Sequence, residues 1–293
     1  MVADVDREAF STNGYVIARS VFSPEEVDRF RRRLKLINER SETESAFDSD
    51  SRYPELRMLH GDPVSMPELR DLDYVVLDKR IVELVRKLLG TSVTYHGDGS
   101  VQIGEGPRGF HKDNADRASP EGIDWRGTYG LLRLGIYLQD HQHSSGGLKV
   151  RKRSHRYVSH HRGWATNLST RAGDVVFWYL TTSHSGNAIR LKGFPRLCLH
   201  PRLESLIPEA LCLPESAVRM AIFCTFGSPG AHLQRYIEYQ RSRPEVLEHW
   251  RRCGIGPEID QLAARRDVAL LQPSEDYGQL FKNACSPQQF DYS

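Results

Sequence analysis

Gly173-Asp-Val-Val-Phe-Trp-Tyr-Leu-Thr-Thr-Ser-His184 is a turn, then an apolar run, then hydroxyl side chains that end on a histidine. Gly173-Asp174 punctuates the chain, and the β-branched and aromatic residues from Val175 to Leu180 suit a buried, pleated strand. Such a strand would deliver His184 to the rim of a barrel. Similar runs surround it, namely Val93 to His96, Ser100 to Ile103, Leu131 to Leu138, Leu148 to Arg151 and Met220 to Phe226, with Gly146-Gly147 as a further turn signal. Many short strands in series predict a sandwich or jelly roll rather than βαβ units.

Toward the N-terminus, Tyr15-Val-Ile-Ala18 reads as a short strand. Ser23-Pro-Glu-Glu26 then combines an N-cap, a proline at the first helical position and a capping-box glutamate. Val27, Phe30, Leu34 and Ile37 recur on one helical face. The acidic stretch Ser41 to Ser51 reads as a mobile loop, and a second helix is expected over Ile81 to Leu89, stopped by Gly90. Asn187 to Val218, rich in proline and leucine, reads as an insertion between core strands. A charged helical pattern returns after Pro229, for example from Pro244 to Arg252, and the tail from Gln272 is irregular.

The expected layout is therefore a single domain over residues 1–293, mainly β with flanking helices. N-terminal helices occupy about 20–90 and a jelly-roll core about 92–227, with the insertion at about 187–218 and a helical extension over 228–293.

A net charge of +2, with 27% charged residues, gives no bulk-charge reason to expect nucleic acid or a membrane surface. No apolar run approaches the roughly 20 residues needed to span a bilayer. The opening MVADVDREAF lacks the layout of a signal peptide. Five cysteines, none in a CxxC pair, suggest neither a zinc site built on them nor a disulfide framework, and point to a reducing cytoplasm.

The chemistry lies in Gly109-Phe-His111-Lys-Asp113 and, far downstream, His184. In a strand, residues two apart share a face, so His111 and Asp113 would present imidazole and carboxylate side by side. A third ligand, His184, from a distant strand would leave three coordination positions open, which is the donor set of non-haem iron(II) oxygenases. The same three ligands holding zinc for hydrolysis, or a jelly roll that binds without catalysis, are the alternatives. His141 and His143 read as part of a polar loop between strands. Arg108, Lys112, Arg117 and Arg133 hint at an anionic small-molecule substrate.

These words occur in a familiar order. Phe10-Ser-Thr-Asn-Gly14-Tyr-Val-Ile, Ser23-Pro-Glu-Glu26-Val-Asp, the His111/Asp113 word, Gly146-Gly-Leu-Lys-Val150 with Ser154-His155, Gly173-Asp174 and His184-Ser-Gly-Asn187 together resemble the phytanoyl-CoA dioxygenase family, over roughly residues 8 to 227. The resemblance implies a double-stranded β-helix (cupin-like) fold, Fe(II) and 2-oxoglutarate as cofactors, molecular oxygen as co-substrate, and hydroxylation or a related oxidation of a small molecule. The family's halogenases lack the carboxylate ligand, so Asp113 favours oxidation over halogenation. It also implies an arginine that clamps the far carboxylate of 2-oxoglutarate. Arg219 and Arg196 compete for that place. Arg219 is preferred because it opens a run with the alternation of a core strand, whereas Arg196 precedes a short run ended by a proline.

Overall fold

Met220, Ile222 and Cys224 alternate with Ala221, Phe223 and Thr225, and in the computed structural model the two sets face opposite sides of one strand. The structure describes residues 4–41, 48–50, 53–59, 72–90, 92–104, 106, 109–204, 206–215, 218–244, 246–248 and 256–271. Its strands are β1 (Tyr15–Ala18), β2 (Asp48–Asp50), β3 (Tyr53–Leu59), β4 (Val93–Ile103), β5 (Leu131–Tyr137), β6 (Gly147–Lys152), β7 (Trp164–Asn167), β8 (Val175–Tyr179), β9 (His184–Ala188), β10 (Met220–Gly227) and β11 (Val268–Leu270). Helices are α1 (Arg7–Asn13), α2 (Pro24–Ser41), α3 (Asp73–Val76), α4 (Lys79–Leu89), α5 (Pro201–Glu204), α6 (Ala231–Arg241) and α7 (Pro257–Arg265).

Among the described residues these strands form two sheets. The larger runs β1-β8-β5-β10-β4-β3-β2, with β11 added to β4, and the smaller runs β7-β6-β9. The chain is thus mainly β with flanking helices, and its core is a jelly roll. Tyr137, Val176, Trp178, Ala221 and Phe223 from the large sheet meet Leu148 and Val150 from the small one. On the other face of the large sheet, Leu134, Phe177 and Ile222 pack against Phe30 and Leu34 of α2 and Val82 and Val85 of α4. Each such burial stabilises by about 1.5–3 kcal/mol.

The start of α2 follows its sequence signature: Ser23 N–H donates to Glu26 Oε2 at 2.8 Å, and Glu26 N–H returns to Ser23 Oγ at 3.3 Å. α1 went unread in the sequence, although Asp6 caps it by accepting from Glu8 and Ala9 N–H, and Gly14 ends it at φ 85°. It is only two turns long, too short for periodicity to show. The two strands expected over Val93 to His96 and Ser100 to Ile103 are one strand, β4. Its pairing with β10 is Tyr95↔Phe226 and then Gly99↔Cys224, so residues 96–98 stand opposite Thr225 alone. Gly97, at φ 69°, supplies the backbone this bulge needs.

The loop expected over Ser41 to Ser51 lies partly outside the described residues. Ser41 ends α2, and Asp48–Asp50 is an edge strand paired with β3. Backbone pairing suffices for so short an edge, so an acidic composition does not prevent it. Of the helix read over Pro244 to Arg252, residues 244 and 246–248 are helical and the rest lies outside the described residues, as does the tail from Gln272. The insertion begins only after β9, which keeps Asn187 and Ala188 in the sheet. It packs on the outer face of the small sheet, where Lys149 Nζ meets Glu204 Oε1 at 2.9 Å with both side chains fully buried. No helix among the described residues is long and apolar enough to cross a membrane.

Candidate metal centre

β9 begins at His184, and that residue pairs with His111 as an isolated antiparallel bridge: each backbone N–H donates to the other's carbonyl at 3.0 Å. Asp113 N–H donates to Leu180 O, also at 3.0 Å. The His-Lys-Asp word is therefore not part of a regular strand, yet these three bonds give it strand-like alternation. His111 and Asp113 turn inward. Lys112 turns the other way, donating to the carbonyls of Ser154, at 2.9 Å, and Thr181.

One ligand atom from each of His111, Asp113 and His184 lies within 4.8 Å of the others, and no other such cluster occurs among the described residues. His111 Nδ1 is 3.2 Å from Gly109 O and His184 Nδ1 is 3.0 Å from Thr182 O. Carbonyls only accept, so each Nδ1 carries a proton, and Nε2 is the ring nitrogen left to face a metal. The nitrogens already point at the carboxylate, with His184 Nε2 3.3 Å from Asp113 Oδ2 and His111 Nε2 3.7 Å from Oδ1. Burial, and then the neighbouring His184, push His111 down to about 4, so it is neutral. Burial alone would raise Asp113, but Arg133 and then His184 outweigh it and hold the carboxyl well below its usual range. Two imidazoles that turn Nε2 toward one carboxylate, all buried or nearly so, fit a divalent metal ion.

A cavity of about 100 Å³ opens beside this cluster, walled by Leu148, Trp178, Phe223, Gln102, Arg133 and Arg219 among others. Arg219, 6% exposed, enters just before β10. Its Nη1 donates to Gln102 Oε1 at 2.9 Å, and its guanidinium lies 5.7 Å from the Tyr137 ring and 6.0 Å from that of Phe223. A Cβ on Gly186 would come within 3.4 Å of Arg219 Nη2, so the glycine two residues past His184 makes room for the guanidinium. Arg196 is exposed in the insertion and is not among the residues lining this cavity. A planar cation beside the metal cluster, flanked by Tyr137 and Phe223, fits a dicarboxylic keto acid.

Several expected placements changed. His141 lies in the loop between β5 and β6 but is fully buried there: its Nδ1 lies 3.2 Å from Thr170 Oγ1, its ring meets Tyr137 edge-on, and burial lowers it to about 3. Trp178 lines the cavity, while Phe177 and Tyr179 belong to the outer core. Of the four cations read as a hint of an anionic substrate, Lys112 is turned into the protein, and Arg133 is paired with Asp113 and Asp98. Arg117 donates to Asn114 O and stacks on Tyr239, and Arg108 lies outside the described residues. Asp98 escaped notice in the sequence. Its signal was Gly97-Asp98-Gly99, a pair of glycines inside a strand, which marks a bulge.

A model of the phytanoyl-CoA dioxygenase family matches residues 10–197. No curated protein matches the chain. Solved structures that share its fold include the non-heme alpha-ketoglutarate-dependent carbocyclase SnoK from nogalamycin biosynthesis, 20% identical over 78% of this chain and 88% of that one, at a TM-score of 0.51. HygX from Streptomyces hygroscopicus, with nickel, 2-oxoglutarate and hygromycin B bound, is 18% identical over 76% of this chain and 88% of its own, also at 0.51. The epimerase SnoN, in complex with Fe3+, alpha ketoglutarate and nogalamycin RO, is 15% identical over 76% and 82%, again at 0.51.

Proposed function

The chain belongs to the phytanoyl-CoA dioxygenase family, and on that premise we propose that His111, Asp113 and His184 hold iron(II) and that Arg219 anchors 2-oxoglutarate. The observation that carries this reading is the convergence of one ligand atom from each of two imidazoles and one carboxylate within 4.8 Å, on the wall of a cavity that also holds a buried arginine. Iron(II) with 2-oxoglutarate supplies the oxidative decarboxylation of the keto acid to succinate and CO2 by molecular oxygen, coupled to oxidation of a second, organic substrate.

The protein's own part is placement. Carbonyls of Gly109 and Thr182 fix both imidazole tautomers and ring planes. Arg219, steadied by Gln102, fixes one end of the keto acid, and a fixed end confines the other to a narrow range of poses. Trp178, Phe223 and Leu148 exclude water from the same wall. Family membership argues against the zinc-hydrolase and non-catalytic readings. The second substrate is a small molecule, as hygromycin B is in HygX.

The described elements act as one oxygenase domain, since α2 and α4 cover the large sheet and β11 extends it. Among the described residues, Cys198, Cys212 and Cys224 stand outside any disulfide, which supports a cytoplasmic setting. Succinate release is the test: it should require iron(II), 2-oxoglutarate and oxygen together, and His184→Ala should abolish both iron binding and turnover. Turnover with zinc alone, or iron affinity unchanged in His184→Ala, would refute the assignment.

A further inference from the structure

We propose that Arg133, anchored from behind by Asp98, is a positioning residue that restricts Asp113 to a single metal-binding oxygen and so keeps room for the keto acid. This rests on reading His111, Asp113 and His184 as the iron ligands. A carboxylate with both oxygens free can take a metal through one or through both. The keto acid needs two coordination positions and oxygen a third. With three protein ligands those positions suffice only while Asp113 supplies one atom.

Arg133 is placed to enforce that. It lies on β5 directly opposite Thr225 of β10, and its Nε donates to Thr225 Oγ1 at 3.0 Å. Its Nη1 donates to Asp113 Oδ2 at 3.0 Å and its Nη2 to Asp98 Oδ2 at 2.6 Å. All three guanidinium nitrogens are thus committed, two of them to carboxylates, and rotation about Cζ is blocked. Asp98 is itself held, accepting from Tyr236 Oη at 2.8 Å, while Gln240 Nε2 donates to that same hydroxyl at 2.7 Å. The bulge at residues 96–98, opposite Thr225, brings Asp98 to the place where Arg133 arrives. One cation between two carboxylates leaves the pair with a net negative charge, so Asp113 stays an anionic donor while one of its oxygens is occupied. A lone arginine on Asp113 would neutralise the ligand, and a lone Asp98 would be a half-buried, uncompensated charge.

The test uses the full chain under anaerobic conditions, with iron(II) and 2-oxoglutarate as probes. Iron affinity is measured by competition with a chromophoric chelator, keto-acid chelation by the visible charge-transfer absorption of the iron-bound keto acid, and fold by the unfolding temperature without metal. Partners behind a metal ligand typically change site properties by about 10–100-fold. An Asp113 released by Arg133 can hold the metal through both oxygens, so the loss should fall on the keto acid: Arg133→Gln should bind iron within about threefold of the parent and bind the keto acid at least about tenfold more weakly. Arg133→Lys, which can still reach Asp113, should recover part of that loss and covers the case in which glutamine is not tolerated. Keto-acid affinity unchanged in both variants would overturn the proposal. So would parallel losses of iron affinity, keto-acid affinity and metal-free stability with no recovery in the lysine variant, since that pattern marks a structural arginine. Iron retained in His184→Ala would instead remove the metal reading itself, and is separately visible.

Discussion

Replacing Arg219 with leucine removes from the cavity wall beside the metal cluster a cation whose Nη1 donates to the Gln102 amide oxygen. Arg219 is 6% exposed, so its pairing with an incoming carboxylate is little screened by solvent. A hydrogen-bonded contact between charged groups contributes about 1.5–3 kcal/mol. At 1.4 kcal/mol per factor of ten, Arg219→Leu should weaken 2-oxoglutarate binding by roughly a hundredfold. Iron should still bind, because Arg219 lies on the cavity wall outside the three-ligand cluster. Arg196→Leu should change keto-acid affinity by less than about fivefold, the scale of an exposed charge. Anaerobic titration of the iron-loaded protein, followed by its charge-transfer absorption, measures both. If Arg196→Leu costs more than Arg219→Leu, the clamp is misassigned and Arg219 is an ordinary structural arginine.

Two further perturbations test the surroundings. Glu204→Leu strands Lys149 without its carboxylate in a fully buried setting and should cost about 3–5 kcal/mol in urea unfolding, whereas Lys149→Met/Glu204→Leu should recover most of that; a single-variant cost below about 1 kcal/mol would mean the pair does not anchor the insertion. His96 and His141 are held neutral by burial, lowered to about 4 and about 3 respectively. Their unfolded forms take up protons first, so the stability they confer is complete above the unfolded value of about 6.5 and is lost as pH falls below it. Unfolding free energy of the metal-free protein should drop by about 2 kcal/mol per histidine between pH 7.5 and 5. His141→Asn should remove its share of that slope, and an unchanged slope would show that His141 is already protonated or already wet.

Much of this was legible in the residues. Alternation in β5, β8 and β10 and the capping box of α2 are local signals, and local chemistry decides them. That His111 and Asp113 share a face was legible from the strand period of two, and the structure brings His184 to the same place. What stayed hidden depended on partners far away in sequence. β2 and β3 exist as strands through their pairing with each other and with β4, and their composition does not announce it. His141 reads as polar loop until Tyr137 and Thr170 enclose it. Arg133 could be seen as a cation near the site but not as the link between Asp98 and Asp113, because that link requires the bulge opposite Thr225 to be in place.

The excursion from Ile189 to Val218 separates His184 from Arg219 along the chain, yet both reach the same cavity. Each wall strand is registered by its sheet neighbours, β9 by β6 and β10 by β4 and β5. Lengthening the connection between them therefore adds only closure entropy, about 0.6 kcal/mol for each doubling of its length. That penalty is smaller than the contribution of a single buried leucine. The segment between His184 and Arg219 is accordingly a place where a lineage can splice in new chain, and with it new contacts on the outside of the jelly roll, without disturbing the cavity inside.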